Sequence, residues 1–502
     1  MISNLVRPED RNRYYLLFAA AVAVMIFPIW TVAILPWSDF GDHLARIYIL
    51  RHFDEVPIFR RYYFIQHLPL PNLAVDLITT PMLSFANPYV AAKLFASLSV
   101  IVFAIAVHVF GRTVHGAPTW LAIAAAFFFY NSLLLYGFVN YTWGVTMFLL
   151  ASAAWLNFER ERSVGACALA IAAGAVTYIA HLSGFFFLCV FIGLMSIFAV
   201  LRERRIRLWT VAGLLPIVPG LIAYASLGSA RGDLGTVEWG ALTTKAIHAG
   251  VLLSGYSVWM DAITVGGWAL AAAVVFKYGK FGGRAPLLAV AGAYILAFLV
   301  FPSEFHTGSD ADTRFVLPAG LMVMLAVTVS LPEKWVKPVF GMLLSILALR
   351  VGLMDMYWQR AERIATEQIG LLRQVDEQSR IYPILLLPPG RTEGKIRTVL
   401  QHVAGYAVIE RNAITGATFA VPGQQPLQHR VPLPYLQVTA DMKENEVKWP
   451  QIFANYDYIW IYHATPALRS YLDSHAELRA QAGDGRLYRI GANPKGATSG
   501  NP

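Results

Sequence analysis

The chain alternates apolar blocks with short basic loops, and this alternation decides most of what it can fold into. About eleven blocks, each of roughly 17–24 apolar residues, are long enough to cross about 30 Å of hydrocarbon as helix. They fall near 14–36, 90–111, 118–137, 142–157, 164–181, 183–201, 209–226, 259–276, 286–302, 316–331 and 338–355. A backbone in lipid must satisfy its own hydrogen bonds, so blocks of this length read as spanning helices. Composition agrees: 14% of the residues are charged, against about 25% in soluble domains. The formal net charge of +9 would suggest nucleic acid in a soluble chain. Here the Arg and Lys sit in short loops, where they set topology, and no nucleic-acid partner is expected.

The charges orient the chain. With the N-terminus cytoplasmic, the inner loops hold Arg112; Arg160 and Arg162; Arg202, Arg204, Arg205 and Arg207; Lys277, Lys280 and Arg284; and Lys334 and Lys337, which is the positive-inside pattern. The long connections 37–89, 227–258 and 303–315 then lie outside, with everything after 355. The first block follows Arg7, Arg11 and Arg13, is too long for a signal-peptide core and reads as a retained helix. Segment 72–86 is apolar but short, and carries Asp76 and Pro81; it is predicted to lie along the outer surface. The expectation is a multi-pass protein of the cytoplasmic (inner) membrane. It would have an α-helical transmembrane domain over 1–355, including a first outer loop over 37–89, and an extracytoplasmic α/β domain over 356–502. In the second domain a helical stalk (357–378) precedes strands at Ile384–Leu387, Tyr458–Tyr462 and Arg486–Ile490. Helices are expected at Ile396–Val403 and Pro466–Leu478, a surface loop over 422–435, and disorder in the last eight residues. Strands alternating with helices give the α/β reading. Cys167 and Cys189 lie inside apolar blocks and form neither a disulfide framework nor a metal cluster.

Polar residues at the outer ends of helices carry the chemical information, because charge there is costly unless it faces a cavity or a partner. Trp37-Ser-Asp39-Phe-Gly-Asp42-His43-Leu-Ala-Arg46 follows the first block. If 40–53 is helical, His43 lies beside Asp39 and Arg46 beside Asp42. The segment is then either a solvated amphipathic helix with ordinary ion pairs or an acid held at the membrane surface facing a substrate. Arg314, in Asp310-Ala-Asp312-Thr-Arg314, opens a late block. Its planar fork suits phosphate oxygens; the alternative is a snorkelling anchor paired with Asp312. Asn140, Tyr141, His181, Lys245 and His248 mark other outer ends, with Tyr136, Tyr256, Asp261, Glu304 and His306. Arg350 lies just below the outer end of the last block, as a snorkelling residue or a phosphate partner.

The layout resembles the GT-C superfamily of membrane glycosyltransferases, nearest in kind to bacterial members that modify lipid A and polysaccharides. Three stretches carry the resemblance: Trp37-Ser-Asp39-Phe-Gly-Asp42-His43, where the family keeps its catalytic acid; Pro69-Leu-Pro71-Asn72 through Ala91-Ala92-Lys93-Leu94, similar to the family's proline, surface helix and basic residue before helix two; and Arg314-Phe315-x-Leu-Pro318, similar to its Arg-aromatic motif. The two acids are three apart here, where many members have adjacent Asp-Glu, so which acid serves as base stays open. The resemblance implies transfer of a hexosyl or pentosyl group from a polyprenyl-phosphate donor, with inversion, to an envelope glycolipid, glycan or protein. It implies Asp39 or Asp42 as base. His43 would orient the acid or contact the acceptor, Arg46 would join it in binding substrate, and Asn140, Tyr141 and His181 would line the sugar pocket. Arg314, with Lys245 and Arg350 behind it, would hold the phosphate. No metal site is assigned; a divalent cation joining acids to phosphate stays open.

Rival readings make different demands. A transporter or flippase of a lipid-linked or anionic solute should show internal repeats and mid-membrane charges, whereas the charges here cluster at one face. A polysaccharide polymerase or ligase should carry arginines in a large late outer loop, and 303–315 is short. A membrane scaffold would need neither the acid motif nor Arg314.

Overall fold

In a computed structural model of the chain, the described residues are all but 1, 229–235, 251, 253–254, 307–308, 387–398, 435–446 and 492–502. The first part is a bundle of helices. In chain order its principal members are α1 (Arg11–Thr31), α2 (Phe40–Arg51), α3 (Ala74–Met82), α4 (Pro88–His115), α5 (Val139–Glu161), α6 (Val164–Ala180), α7 (Leu182–Glu203), α8 (Val258–Tyr278), α9 (Ala285–Val300), α10 (Val316–Ala326) and α11 (Glu333–Leu372). Among the described residues, six helical runs are long and apolar enough to cross a membrane: Pro8–Thr31, Pro88–His115, Leu182–Glu203, Leu208–Ser226, Val258–Tyr278 and Glu333–Leu372. Shorter apolar runs stand beside them at Leu121–Tyr136, Val164–Ala180, Ala285–Val300 and Thr313–Ala326.

Local chemistry sets the boundaries. Asn87 caps α4 by accepting from the Val90 amide, with Pro88 at the first turn, where a missing N–H costs nothing. Ser163 and Ser257 cap α6 and α8 in the same way. Two expectations give way to local signals, and a third holds. The block at 118–137 breaks at the 3-10 turn Phe127–Phe129, and Asn131 caps a new short helix by accepting from Leu134. The block at 316–331 stops being helix at Ala326, because Val327-Thr-Val-Ser-Leu331 is β-branched and alternating; it forms a strand between Ile2–Ser3 and Lys280–Gly283. The last block and the stalk are one helix: α11 runs unbroken for 40 residues, about 60 Å.

The C-terminal part is built on a five-stranded sheet. With β1 (Tyr63–Ile65) in the first loop, its strands are β2 (Arg380–Leu385), β3 (Ile414–Thr415), β5 (Tyr458–Tyr462), β6 (Glu477–Ala482) and β7 (Gly485–Arg489), while β4 (Leu427–His429) lies apart. The sheet order is β6-β7-β5-β2-β3. β5 pairs parallel with β2 in the register Trp460↔Pro383 and antiparallel with β7 in the register Trp460↔Leu487. The central run Tyr-Ile-Trp-Ile-Tyr is almost wholly buried, as a strand covered on both faces should be. Trp460 donates to the side chain of Gln368 (3.2 Å), whose amide donates to the Ala482 carbonyl (3.2 Å), tying the sheet to α11. The helix expected at Pro466–Leu478 ends at His475, since Glu477 begins β6. The run expected as helix at 396–403 is described only from 399; there Val403–Gly405 is a 3-10 turn that leads into a helix over Tyr406–Arg411. The 422–435 loop contains β4, which pairs antiparallel with β1. The last eight residues lie outside the described set.

Candidate functional site

One end of the bundle holds the basic turns: the N-terminal strand bonded to Val329, Arg160 on the Thr113 carbonyl, and Glu203 between Arg162 and Arg207. The other end gathers the segment after α1, the start of α5, the α6–α7 junction and the α9–α10 connection. A cavity of about 610 Å³ opens among them, closed on its remaining side by the C-terminal part. Asp39, His43, Asn140, Tyr141, His181 and Arg314 all line it.

Asp39 sits at the mouth of α2, its amide bonded to the Tyr136 carbonyl (3.0 Å). This close approach needs Gly137, which adopts φ +100°; a Cβ there would lie 2.6 Å from the Asp39 nitrogen. One turn on, Asp42 points away from the cavity and is buried. Its partner comes from the far end of the chain. His402 places Nδ1 2.5 Å from Asp42 Oδ2 and Nε2 3.4 Å from Asp39 Oδ1. Asp42 is 1% exposed, His402 14% and Asp39 20%, so Asp39 is the acid that meets the cavity. Two glycines permit the approach. A Cβ on Gly41 would lie 2.4 Å from the His402 carbonyl oxygen, and one on Gly405 2.8 Å from Asp42 Oδ1. Burial would lower the basicity of His402, but the two carboxylates outweigh it and push its pKa up to about 10. Burial also raises the pKa of Asp42, while His402 draws it back down.

Arg46 corrects the sequence expectation. It does not bond Asp42; its fork donates to Asp76 of α3 (2.7 and 2.9 Å) and its Nη2 also donates to His43 Nδ1 (3.1 Å). The pair is fully buried, and a bidentate carboxylate satisfies more of a buried guanidinium than a carboxylate on its own helix. His43 is held neutral by burial, with Arg46 and His402 beside it, and bonds the Gly137 carbonyl. Asn140 stitches the first loop to α5: it accepts from the Val75 amide (2.8 Å) and donates to the Asn72 carbonyl (2.7 Å). His181 Nδ1 accepts from the Ser183 amide (3.0 Å), which leaves its proton on Nε2. Tyr141 donates to the Arg314 carbonyl (2.7 Å).

Arg314 does not pair with Asp312. Its Nη2 donates to the Ser309 carbonyl (2.9 Å), its guanidinium lies over the Phe138 ring (5.2 Å), and its buried Nε has no hydrogen-bond partner. Asp312 is engaged by Lys245 instead (3.0 Å), and the Lys245 ammonium also donates to the carbonyls of Phe298 (3.0 Å) and Phe301 (2.5 Å). Three donors on three acceptors leave Lys245 committed to the protein, and it does not line the cavity. Arg46 and Asp42 are not on its lining either. Arg350 donates to the Tyr130 carbonyl (2.9 Å) and borders a separate, much smaller cavity with Tyr256 and Asp261. Sequence reasoning missed Gln401, His402, Phe419 and the 421–425 turn, all on the cavity wall. Among the described residues, no group of three or more His, Cys, Asp or Glu side chains is arranged to hold a metal ion.

No family model and no curated protein matches the chain. Solved structures do. Two crystal structures of ArnT, a GT-C glycosyltransferase, from Cupriavidus metallidurans are similar over nearly the whole chain. The one bound to undecaprenyl phosphate has a TM-score of 0.52 and 11% identity, covering 96% of this chain and 99% of that one. The apo structure has a TM-score of 0.54 and 11% identity, covering 96% and 98%. The chain therefore shares its overall fold with these two structures.

Proposed function

We propose that this protein is a glycosyltransferase of the cytoplasmic membrane, moving one hexosyl or pentosyl group from a polyprenyl-phosphate carrier to an acceptor hydroxyl at the outer face. In this reading the chain spans the membrane eleven times, with its C-terminal domain (356–502) extracytoplasmic. The observation that carries the proposal is the pairing, in one cavity at the end of a helix bundle, of an accessible acid and an arginine with an uncommitted Nε: Asp39 and Arg314. The fold shared with ArnT, which binds undecaprenyl phosphate, supports a lipid carrier.

The chemistry follows from that pairing. The acceptor oxygen attacks the anomeric carbon as the bond from that carbon to the phosphate oxygen breaks. Asp39 takes the hydroxyl proton. The electron pair leaves with the phosphate, whose growing charge Arg314 stabilises. A single displacement inverts the anomeric centre. Phosphate is a good leaving group, so one carboxylate suffices. Asp42 and His402 act on Asp39 rather than on the substrate: a protonated imidazole anchored on a buried carboxylate fixes where the Asp39 oxygens lie. His43, His181 and Asn140 shape the pocket. A lipid tail stays in the bilayer while its sugar reaches a polar acceptor, and a cavity among helix ends meets both demands.

The test is binding of undecaprenyl phosphate to the purified protein. Arg314→Ala is expected to weaken it by about tenfold or more, and Arg479→Ala, on an exposed strand, to leave it unchanged. Equal affinity in wild type and Arg314→Ala would remove Arg314 from the phosphate site, and no binding at all would remove the carrier.

A further inference from the structure

Resting on the glycosyltransferase reading, we infer that the cavity wall contributed by residues 401–425 is the acceptor site, and that it receives an uncharged saccharide hydroxyl rather than a phosphate or other anion.

The chemistry of the wall is the first argument. Gln401, Phe419, Gln424 and Gln425 line it, and its one charged residue, His402, is already bracketed by Asp39 and Asp42. Carboxamides and a half-buried aromatic ring are the groups that hydrogen-bond hydroxyls and pack on the C–H faces of a sugar. Two of the carboxamides are oriented. Gln401 accepts from the Ser38 hydroxyl (3.3 Å) and Gln425 accepts from the Val421 amide (2.6 Å), both through their oxygens. Each then retains its NH₂ donors, which suit the hydroxyl and ring oxygens of a sugar.

The wall is also built in advance. Gly423 takes φ +74°, the left-handed conformation that the turn requires. The amides of Gln424 and Gln425 both bond the Val421 carbonyl, and Gln428 donates to the carbonyls of Val421 (3.2 Å) and Gln425 (2.7 Å). β4 follows at once and pairs with β1 of the first loop, so the turn is fastened to the segment that carries Asp39. The Phe419 ring is wedged against the rings of His43 and His402, with centroids 5.2 Å from each. Such preorganisation lowers the entropy cost of binding a weakly interacting neutral ligand.

Charge is the third argument. Among the described lining residues, Arg314 is the one Arg or Lys, and the donor phosphate occupies it. An anionic acceptor would have to enter beside Asp39 without a second such cation, and like charges repel it. A neutral hydroxyl is not repelled, and it needs the base that Asp39 supplies, whereas a phosphate oxyanion needs none.

The experiment is saturation-transfer NMR on the full-length protein in a detergent without a sugar headgroup. The probes are neutral methyl hexosides and the corresponding hexose 6-phosphates. At least one methyl hexoside should bind, no more weakly than its phosphate. Phe419→Ala should weaken it about fivefold, Phe419→Trp should retain it, and Arg479→Ala, on an exposed strand away from the cavity, should leave it unchanged. A phosphate that binds about tenfold more tightly than its neutral parent, or methyl hexosides that bind nowhere or ignore Phe419→Ala, would overturn the inference. Undecaprenyl phosphate binding, measured alongside, separates the two readings. If it persists without saccharide binding, this inference alone fails; if saccharide binding persists without it, the carrier reading alone fails.

Discussion

The bond between His402 and Asp42 can be weighed through pH. In His402→Gln the imidazolium that bridges Asp42 (2.5 Å) and Asp39 (3.4 Å) is replaced by a neutral amide. In the native protein, burial alone would lower the pKa of His402; the two carboxylates instead raise it from the ordinary 6.5 to about 10. A group whose folded pKa is raised contributes its full stabilisation below the unfolded pKa and loses it as pH climbs through the folded one. The window is therefore pH 6.5 to about 10. The interval sets a ceiling of about 5 kcal/mol. Burial of Asp42 offsets part of it, since its carboxyl is pushed the other way; about 2–4 kcal/mol should remain. The assay is thermal unfolding in detergent, followed by tryptophan fluorescence at steps from pH 6 to 10. Wild type should lose stability progressively across this window. His402→Gln should start lower at pH 6, fall less, and meet wild type near pH 10. Adding Asp42→Asn should recover part of the loss at pH 6, because the buried carboxylate is then no longer unpaired. Wild type and His402→Gln falling in parallel would refute the ion pair.

Two further perturbations probe the supports of the site. Gly405→Ala would place a Cβ 2.8 Å from both Asp42 Oδ1 and the Gly41 carbonyl oxygen; it should cost about 1–3 kcal/mol in unfolding and reduce sugar transfer, with both read on one preparation. Lys245→Met leaves Asp312 buried without its ammonium; a loss of about 3–5 kcal/mol is expected, partly restored by Asp312→Asn, as a thermal double-mutant cycle would show.

Much of the bundle is legible in the sequence because lipid imposes a length on every apolar block, and each block announces itself locally. The α2 segment is legible too, since Asp39 and His43 at helical spacing, with Phe40, Leu44 and Ile47 between the polar residues, define one turn after another. Arg314, Asn140, Tyr141 and His181 reach the cavity for a related reason: the helix ends at one side of the bundle converge on it. Spacing failed where the partner is remote. Arg46 has Asp42 one turn away, yet bonds Asp76, thirty residues on, because that carboxylate can face both of its donors. His402 lies 360 residues from Asp42, in a stretch without charge periodicity, and no local pattern marks it. Gly41 and Gly405 are its faint trace: two residues without side chains where two backbones must nearly touch. Val327–Leu331 was hidden differently, since an apolar β-branched run reads equally well as the end of a spanning helix until Ile2–Ser3 is found beside it.

The most direct test of the account follows the leaving group. The purified protein would be given polyprenyl-phosphate sugars and a crude envelope lipid extract, and free polyprenyl phosphate would be measured for wild type, Asp39→Asn and Asp42→Asn. Release should require the extract and fall by about 10²–10⁴-fold in Asp39→Asn, with a smaller loss in Asp42→Asn. Release by Asp39→Asn at the wild-type rate would contradict Asp39 as the base.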